Sequence, residues 1–221
     1  MSTGHPPASD RVTLHRGVSR GDHDPTTVVA ILRAGTVAHV GLGTADGPIV
    51  LPMAYGCTEH TLYLHGAVGN ALLRGSRDQE ICATVTLLDG LVIARSPFHN
   101  SMNYRCVVVR GRGRLVTEPD EHLQALRIIT DHVVENWDHG RPPSASEIRR
   151  TQVIALPLDE CSAKVRRGDP VDEPDDVDGP HWAGVVPITS TFGAPRPAAD
   201  LRTGASTPTH VAALSDHAVS P

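Results

Sequence analysis

The stretch Val37-Ala38-His39-Val40-Gly41-Leu42-Gly43, the turn Ala45-Asp46-Gly47-Pro48, the run Ile49–Cys57, the turn Thr58-Glu59 and the run Thr61-Leu62-Tyr63-Leu64-His65-Gly66 decide the fold. Each run is rich in β-formers with a period of two, and each break carries turn chemistry. Breaks this short join antiparallel neighbours, because a parallel pair needs a crossover of a dozen or more residues. The three runs therefore predict an antiparallel meander.

Working outward, Asn70–Ser76 predicts a short Leu-rich helix capped by Asn70. Glu80–Leu88 and Leu91–Ala94 are strand-like, and Ser96–Asn103 is a polar loop. Arg105–Thr117 alternates, with Val107 and Val109 on one face and Cys106 and Val108 on the other. Thr117 offers an N-cap to a helix over 118–136, whose buried stripe is expected at Leu123, Leu126, Ile129 and Val133. Ser144 and Glu147 form a capping box, and Gln152–Leu158 and Ser162–Arg166 close the sheet. Upstream, Asp24-Pro25 is an N-cap followed by proline at the first helical position, opening a helix that ends at Gly35. The expected whole is mainly β with helical insertions: an antiparallel barrel of six or seven strands over residues 24–188. A flexible N-terminal arm (1–23) precedes it and a disordered C-terminal tail (189–221) follows.

With 221 residues there is material for a real core, and 3% aromatic content means that core must be aliphatic. A pI near 6.2 argues against a nucleic-acid binder. The net charge of −5 is local: residues 168–178 hold six acids and no base, leaving the rest of the chain at +1. Four cysteines without a C-x-x-C pattern predict reduced thiols. The absence of a leader-like apolar segment, or of any apolar run near 18 residues, predicts a cytoplasmic protein with no membrane partner.

Gly17-Val18-Ser19-Arg20-Gly21 has the spacing of a nucleophile elbow but lacks the strand and helix that would strain the serine. Gly41-Leu42-Gly43 runs into a turn and a strand, so it is no dinucleotide fingerprint. His132 and Glu135 share a helix without a second cluster to complete a metal site, and no metal is expected. Three segments hold more promise. Leu62–Ala67 ends a strand in His65-Gly66 before a capped helix, Ser96–Arg105 is rich in donors, and Ser162–Arg166 places Lys164, the sole lysine, beside Arg166.

These segments, in this order, carry a resemblance. Leu62-Tyr63-Leu64-His65-Gly66, Ala83–Val92, Ala94–Arg105 with its Ser-Met-Asn-Tyr-Arg, Ser162-Ala163-Lys164-Val165-Arg166 and His181–Pro187 resemble the flavin-nucleotide-binding branch of the pyridoxamine 5'-phosphate oxidase-like split-barrel superfamily, which includes nitroimidazole-resistance proteins. The resemblance spans about residues 25–188. It implies a six-stranded antiparallel split β-barrel and a homodimer with FMN at the subunit interface. Leu51, Pro52 and Met53 would lie along the isoalloxazine, His65 and Gly66 near the ring and ribityl chain, and Asn70 at the phosphate. Tyr104, Arg105 and Lys164 are further cofactor contacts, and Trp182 would close the pocket. Family members often carry a basic residue after the Asn70 position, where this chain has Ala71, so Arg74, Arg105 or Lys164 would take the phosphate. The implied activity is FMN-dependent reduction of a small electrophilic substrate, nitroaromatic or quinone-like, with His65 as the catalytic proton donor. The alternatives are a non-catalytic binder of flavin, haem (through His65 or His99) or a deazaflavin, and, behind these, pyridoxamine phosphate oxidation.

Overall fold

In the computed structural model, which describes residues 5–75, 77–216 and 218–219, a two-residue strand, β1 (Gly21–Asp22), leads into helix α1 (Pro25–Ala34). The Asp24 carboxylate accepts the Thr26 N–H at 3.0 Å, and Pro25 occupies the first turn where a missing N–H costs nothing. Val28, Val29, Ile31 and Leu32 are all buried along one side of this helix.

The meander follows as β2 (Val37–Thr44), β3 (Gly47–Cys57) and β4 (Thr61–Ala67). The β2–β3 register runs from Val37↔Ala54 to Thr44↔Gly47, and Gly47 turns the hairpin at φ 112°, a backbone region that suits glycine. Helix α2 (Ala71–Gly75), β5 (Glu80–Ile93), β6 (Ser101–Arg112), β7 (Arg114–Leu115), α3 (Pro119–Val133), α4 (Ala145–Arg150), β8 (Thr151–Pro157) and β9 (Glu160–Arg166) come next. The chain divides into two compact units, Met1–Leu87 with Tyr104–Arg166 and Leu88–Asn103 with Arg167–Pro221, so β5 and β6 each run from one unit into the other.

Strand order in the first unit is β1-β9-β6-β5-β2-β3-β4-β8-β7. Two apolar clusters fill it. The barrel interior joins α1 (Val28, Ile31, Leu32) to Val40, Tyr55, Leu62, Leu64, Val107, Val109 and Leu156. The second cluster seats α3, through Ala125 and Ile129, on Tyr63, Val153 and Ala155. The stripe of α3 thus differs from the expected one: Leu123 and Val133 are 43% and 47% exposed. The cause is Gly56, where an added Cβ would stand 2.7 Å from the Ile129 backbone. The helix backbone lies directly on the sheet there, which favours the small Ala125 at the contact.

In the second unit, α5 (Pro174–Val177) precedes β10 (Gly184–Pro187), which pairs with the end of β5 from Gly184↔Ile93 to Pro187↔Gly90. Strand β5 is therefore continuous through Asp89-Gly90, where the sequence predicts an interruption. β11 (Ser190–Thr191), α6 (Thr209–Ala212) and β12 (Ala218–Val219) follow, with β11 antiparallel to β12. Asp172 ties the acidic segment to the loop after β5. Its carboxylate is 2% exposed and accepts the Arg95 N–H at 2.8 Å and Nη1 at 2.9 Å. Burial raises the Asp172 carboxyl's pKa, but the Arg95 guanidinium and backbone donors outweigh it and hold the net value below the usual range.

The class is as expected, mainly antiparallel β in a split β-barrel, but the strand count exceeds six. The described residues hold seven strands of seven or more residues and five of two to four. The short ones come from segments too brief to show an apolar period.

Candidate functional site

Pairing between β3 and β4 covers Cys57↔Leu62, Gly56↔Tyr63 and Tyr55↔Leu64, and goes no further. Beyond that point Met53, Pro52 and Leu51 pair with Ala38, His39 and Val40 of β2. On the other side His65, Gly66 and Ala67 pair with Val153, Gln152 and Thr151 of β8. The barrel is split here, with Leu51-Pro52-Met53 on one lip and His65-Gly66 on the other. Leu51 is 37% exposed on its lip.

The His65 lip is built around α2. A Cβ on Gly66 would stand 2.7 Å from Leu73 Cδ1 and 3.3 Å from Asn70 Nδ2, so only glycine lets α2 close on β4. Asn70 caps α2 as expected: its Oδ1 accepts the Leu73 N–H at 3.3 Å and its carbonyl the Arg74 N–H at 3.0 Å. Arg74 is exposed in the helix's last turn. His65 Nδ1 is buried without a hydrogen-bond partner among the described residues. Burial lowers the pKa of this imidazole, which keeps it neutral at neutral pH.

Two further residues belong to this lip and left no sequence signal. Gln152 is 5% exposed and stands opposite Gly66 across the β4–β8 ladder. Its Oε1 accepts from Arg77, while its Nε2 and Arg77 Nε have no partner among the described residues. Only the strand register reveals them.

The other predicted contacts lie on β6 and β9, separated from β3 in strand order by β5 and β2. Tyr104 stands opposite Arg166, Arg105 opposite Val165 and Cys106 opposite Lys164. With a period of two, Tyr104 and Lys164 share one face while Arg105 shares the other with Val107 and Ala163, both in the barrel core. The Lys164 ammonium donates to the Arg16 carbonyl at 3.0 Å. Trp182 lies in the second unit, 65% exposed, its ring 2.8 Å from where a Cβ on Gly184 would stand.

The described residues contain no group of three or more His, Cys, Asp or Glu arranged to hold a metal ion. No helix among them is long and apolar enough to cross a membrane.

Comparison with known proteins gives this geometry a context. No curated protein matches the chain. Among solved structures, the flavocytochrome Anf3 from Azotobacter vinelandii is similar with a TM-score of 0.90 and 36% identity, over 94% of this chain and 97% of that one. An FAD and haem binding protein from Mycobacterium smegmatis gives 0.86 and 28%, over 90% and 98%. A candidate 5-nitroimidazole antibiotic resistance protein from Bacteroides thetaiotaomicron gives 0.55 and 25%, over 66% and 86%. The family model described as pyridoxamine 5'-phosphate oxidase matches residues 24–165. From that match and the split antiparallel barrel beneath it, the chain belongs to the pyridoxamine 5'-phosphate oxidase family.

Proposed function

We propose that the chain is a cytoplasmic flavoprotein that holds its nucleotide where β3 and β4 part. In this reading it works as a homodimer and reduces a small nitroaromatic or quinone-like electrophile. The observation that carries this is the near-full-length likeness, at 36% identity, to a flavocytochrome. A bound flavin supplies hydride and electron transfer by itself, which fits a site without a dedicated acid–base pair. The chain's residues bind and orient. Leu51, Pro52 and Met53 offer a half-exposed edge for a planar ring, Gly66 gives backbone access, and the neutral His65 imidazole offers Nδ1 as a hydrogen-bond partner beside that ring. Tyr104 and Lys164 stand on strands that do not neighbour this lip. That separation supports a dimer in which a second copy completes each site with these two residues.

The test is the visible spectrum of the purified protein and the nucleotide it releases on denaturation. Paired flavin bands and released FMN are expected. FAD in its place keeps the flavin reading and corrects the nucleotide. Colourless protein that takes up neither FMN nor FAD refutes it.

A second reading, haem bound with the flavin, rests on one further observation. A buried imidazole nitrogen that is unpartnered and held neutral is the form that ligates iron. A Soret band lost in His65→Ala supports it; a band that persists there and disappears in His99→Ala moves the ligand to the second unit.

A further inference from the structure

Gln152 and Arg77 form a donor pair that no described residue completes. Residues directly opposite on an antiparallel ladder share a face, so Gln152 points to the side where a Gly66 side chain would stand. Helix α2 covers that side: a Cβ on Gly66 would meet Leu73 Cδ1 at 2.7 Å and Asn70 Nδ2 at 3.3 Å. His65, one residue back, faces the opposite side with Val153.

Arg77 Nη2 donates to Gln152 Oε1, which fixes the orientation of the amide and makes Nε2 a donor. Gln152 is 5% exposed, and its Nε2 is buried without an acceptor among the described residues. Arg77 Nε is buried in the same condition. Both unpartnered atoms are donors, so the group that satisfies them is an acceptor, and buried donors left without one are rare. No described carboxylate forms an ion pair with Arg77. A guanidinium in that position favours an anionic acceptor. Arg77 as a whole is only half-buried, which leaves the pair an approach from solvent.

The basic residues expected at the phosphate are placed less well. Lys164 donates to the Arg16 carbonyl at 3.0 Å, and its strand and that of Arg105 are separated from β4 in strand order by β5, β2 and β3. Arg74 is exposed at the end of α2.

We propose that Arg77 and Gln152 form a phosphate site, filled by the phosphate of the flavin nucleotide. A phosphate carries enough acceptor oxygens to meet a guanidinium and an amide together. The ligand's identity rests on the flavin reading, whereas the site rests on its buried donors.

The full chain, freed of nucleotide, is titrated with FMN and with riboflavin, which lacks only the phosphate, and binding is followed by flavin fluorescence. The parent should prefer FMN by about ten-fold or more. Arg77→Met should cut that preference about ten-fold and Gln152→Met about three-fold, with riboflavin affinity unchanged as the sign of an intact fold. Inorganic phosphate is the second probe and needs no variant: it should shift the Arg77 Nε–H and Gln152 side-chain amide resonances of the parent saturably. An FMN preference that survives both variants, or FMN binding that leaves both resonances in place, overturns the proposal and leaves the flavin reading standing. Phosphate shifts at both groups in a chain that binds neither flavin support the site and refute the flavin reading. No response to phosphate and no binding of FMN overturns both.

Discussion

Tyr55→Phe removes one oxygen from the centre of the barrel and nothing else. Tyr55 is wholly buried, and its hydroxyl lies within hydrogen-bond distance of the Leu32 carbonyl and 3.0 Å from the Gly35 carbonyl. Both carbonyls belong to the end of α1, where the last turn has no helical N–H to receive them. Gly35 has a second donor, His132 Nε2 at 2.7 Å, whose ring lies 4.6 Å from that of Tyr55. Among the described residues Leu32 has no such substitute. The variant keeps the ring, so no cavity opens, and leaves one buried acceptor unpaired. That penalty is about 1–3 kcal/mol. For a chain of this length each kcal/mol moves the melting temperature by roughly 2–4 °C, so a fall of about 2–12 °C is expected by calorimetry at pH 7. Burial raises the Tyr55 pKa, so the hydroxyl remains a donor across the working range. Because the two donors share an acceptor, Tyr55→Phe and His132→Phe should be non-additive by about 0.5 kcal/mol or more. A Tyr55→Phe variant within experimental error of the parent would show that the α1 terminus does not depend on this hydroxyl.

Three other outcomes follow from the same structure. Gly56→Ala should lower the denaturation midpoint, by about 1–3 kcal/mol of overpacking, since its methyl would meet the α3 backbone at 2.7 Å; a neutral result would mean α3 moves away freely. Burial lowers the pKa of both His65 and His132, with the Gly35 bond opposing this in part at His132. The unfolded chain therefore takes up protons first as pH falls below about 6.5, and stability should drop from there until the depressed folded values are passed; denaturation midpoints at pH 7.5 and 5.5 measure this, and the double His→Gln variant should flatten the difference. Asp172→Asn replaces an acceptor with a donor facing Arg95, so amide exchange of Arg95 should accelerate at neutral pH. In the parent, the Asp172 contribution is present above the unfolded pKa near 4 and lost as pH falls through the lower folded value; unchanged exchange in the variant would remove the carboxylate from any role in holding that loop.

Much of this fold can be read from local chemistry. Asp24-Pro25 starts α1, Ser144 with Glu147 starts α4, and the period of two in 37–66 produces β2, β3 and β4. Errors arise where a distant residue decides. The face of α3 is set by Gly56, over sixty residues upstream, and α3 begins behind Glu118 instead of Thr117. Strand β5 continues through Gly90 because β10 pairs there. At the candidate site, the His65-Gly66 strand end and the Asn70 cap were legible as sequence. Gln152 and Arg77 were not, because their proximity to Gly66 exists only through the β4–β8 register. Tyr104 and Arg105 are neighbours in sequence but face opposite sides of β6, which no motif match can convey.

The end of pairing at Tyr55↔Leu64 separates two kinds of selective burden. Inward of that rung, Tyr55, Leu62 and Leu64 are fully buried and any exchange is charged against folding. Outward of it, Leu51 and Pro52 are exposed, and mutation there meets little of the stability threshold that constrains a core. The lips also carry strand backbone that the ladder leaves free, which favours contact with a ligand or another chain over solvent. A frame divided in this way can change what it holds while its interior stays the same, so cofactor preference can drift among relatives faster than the barrel does.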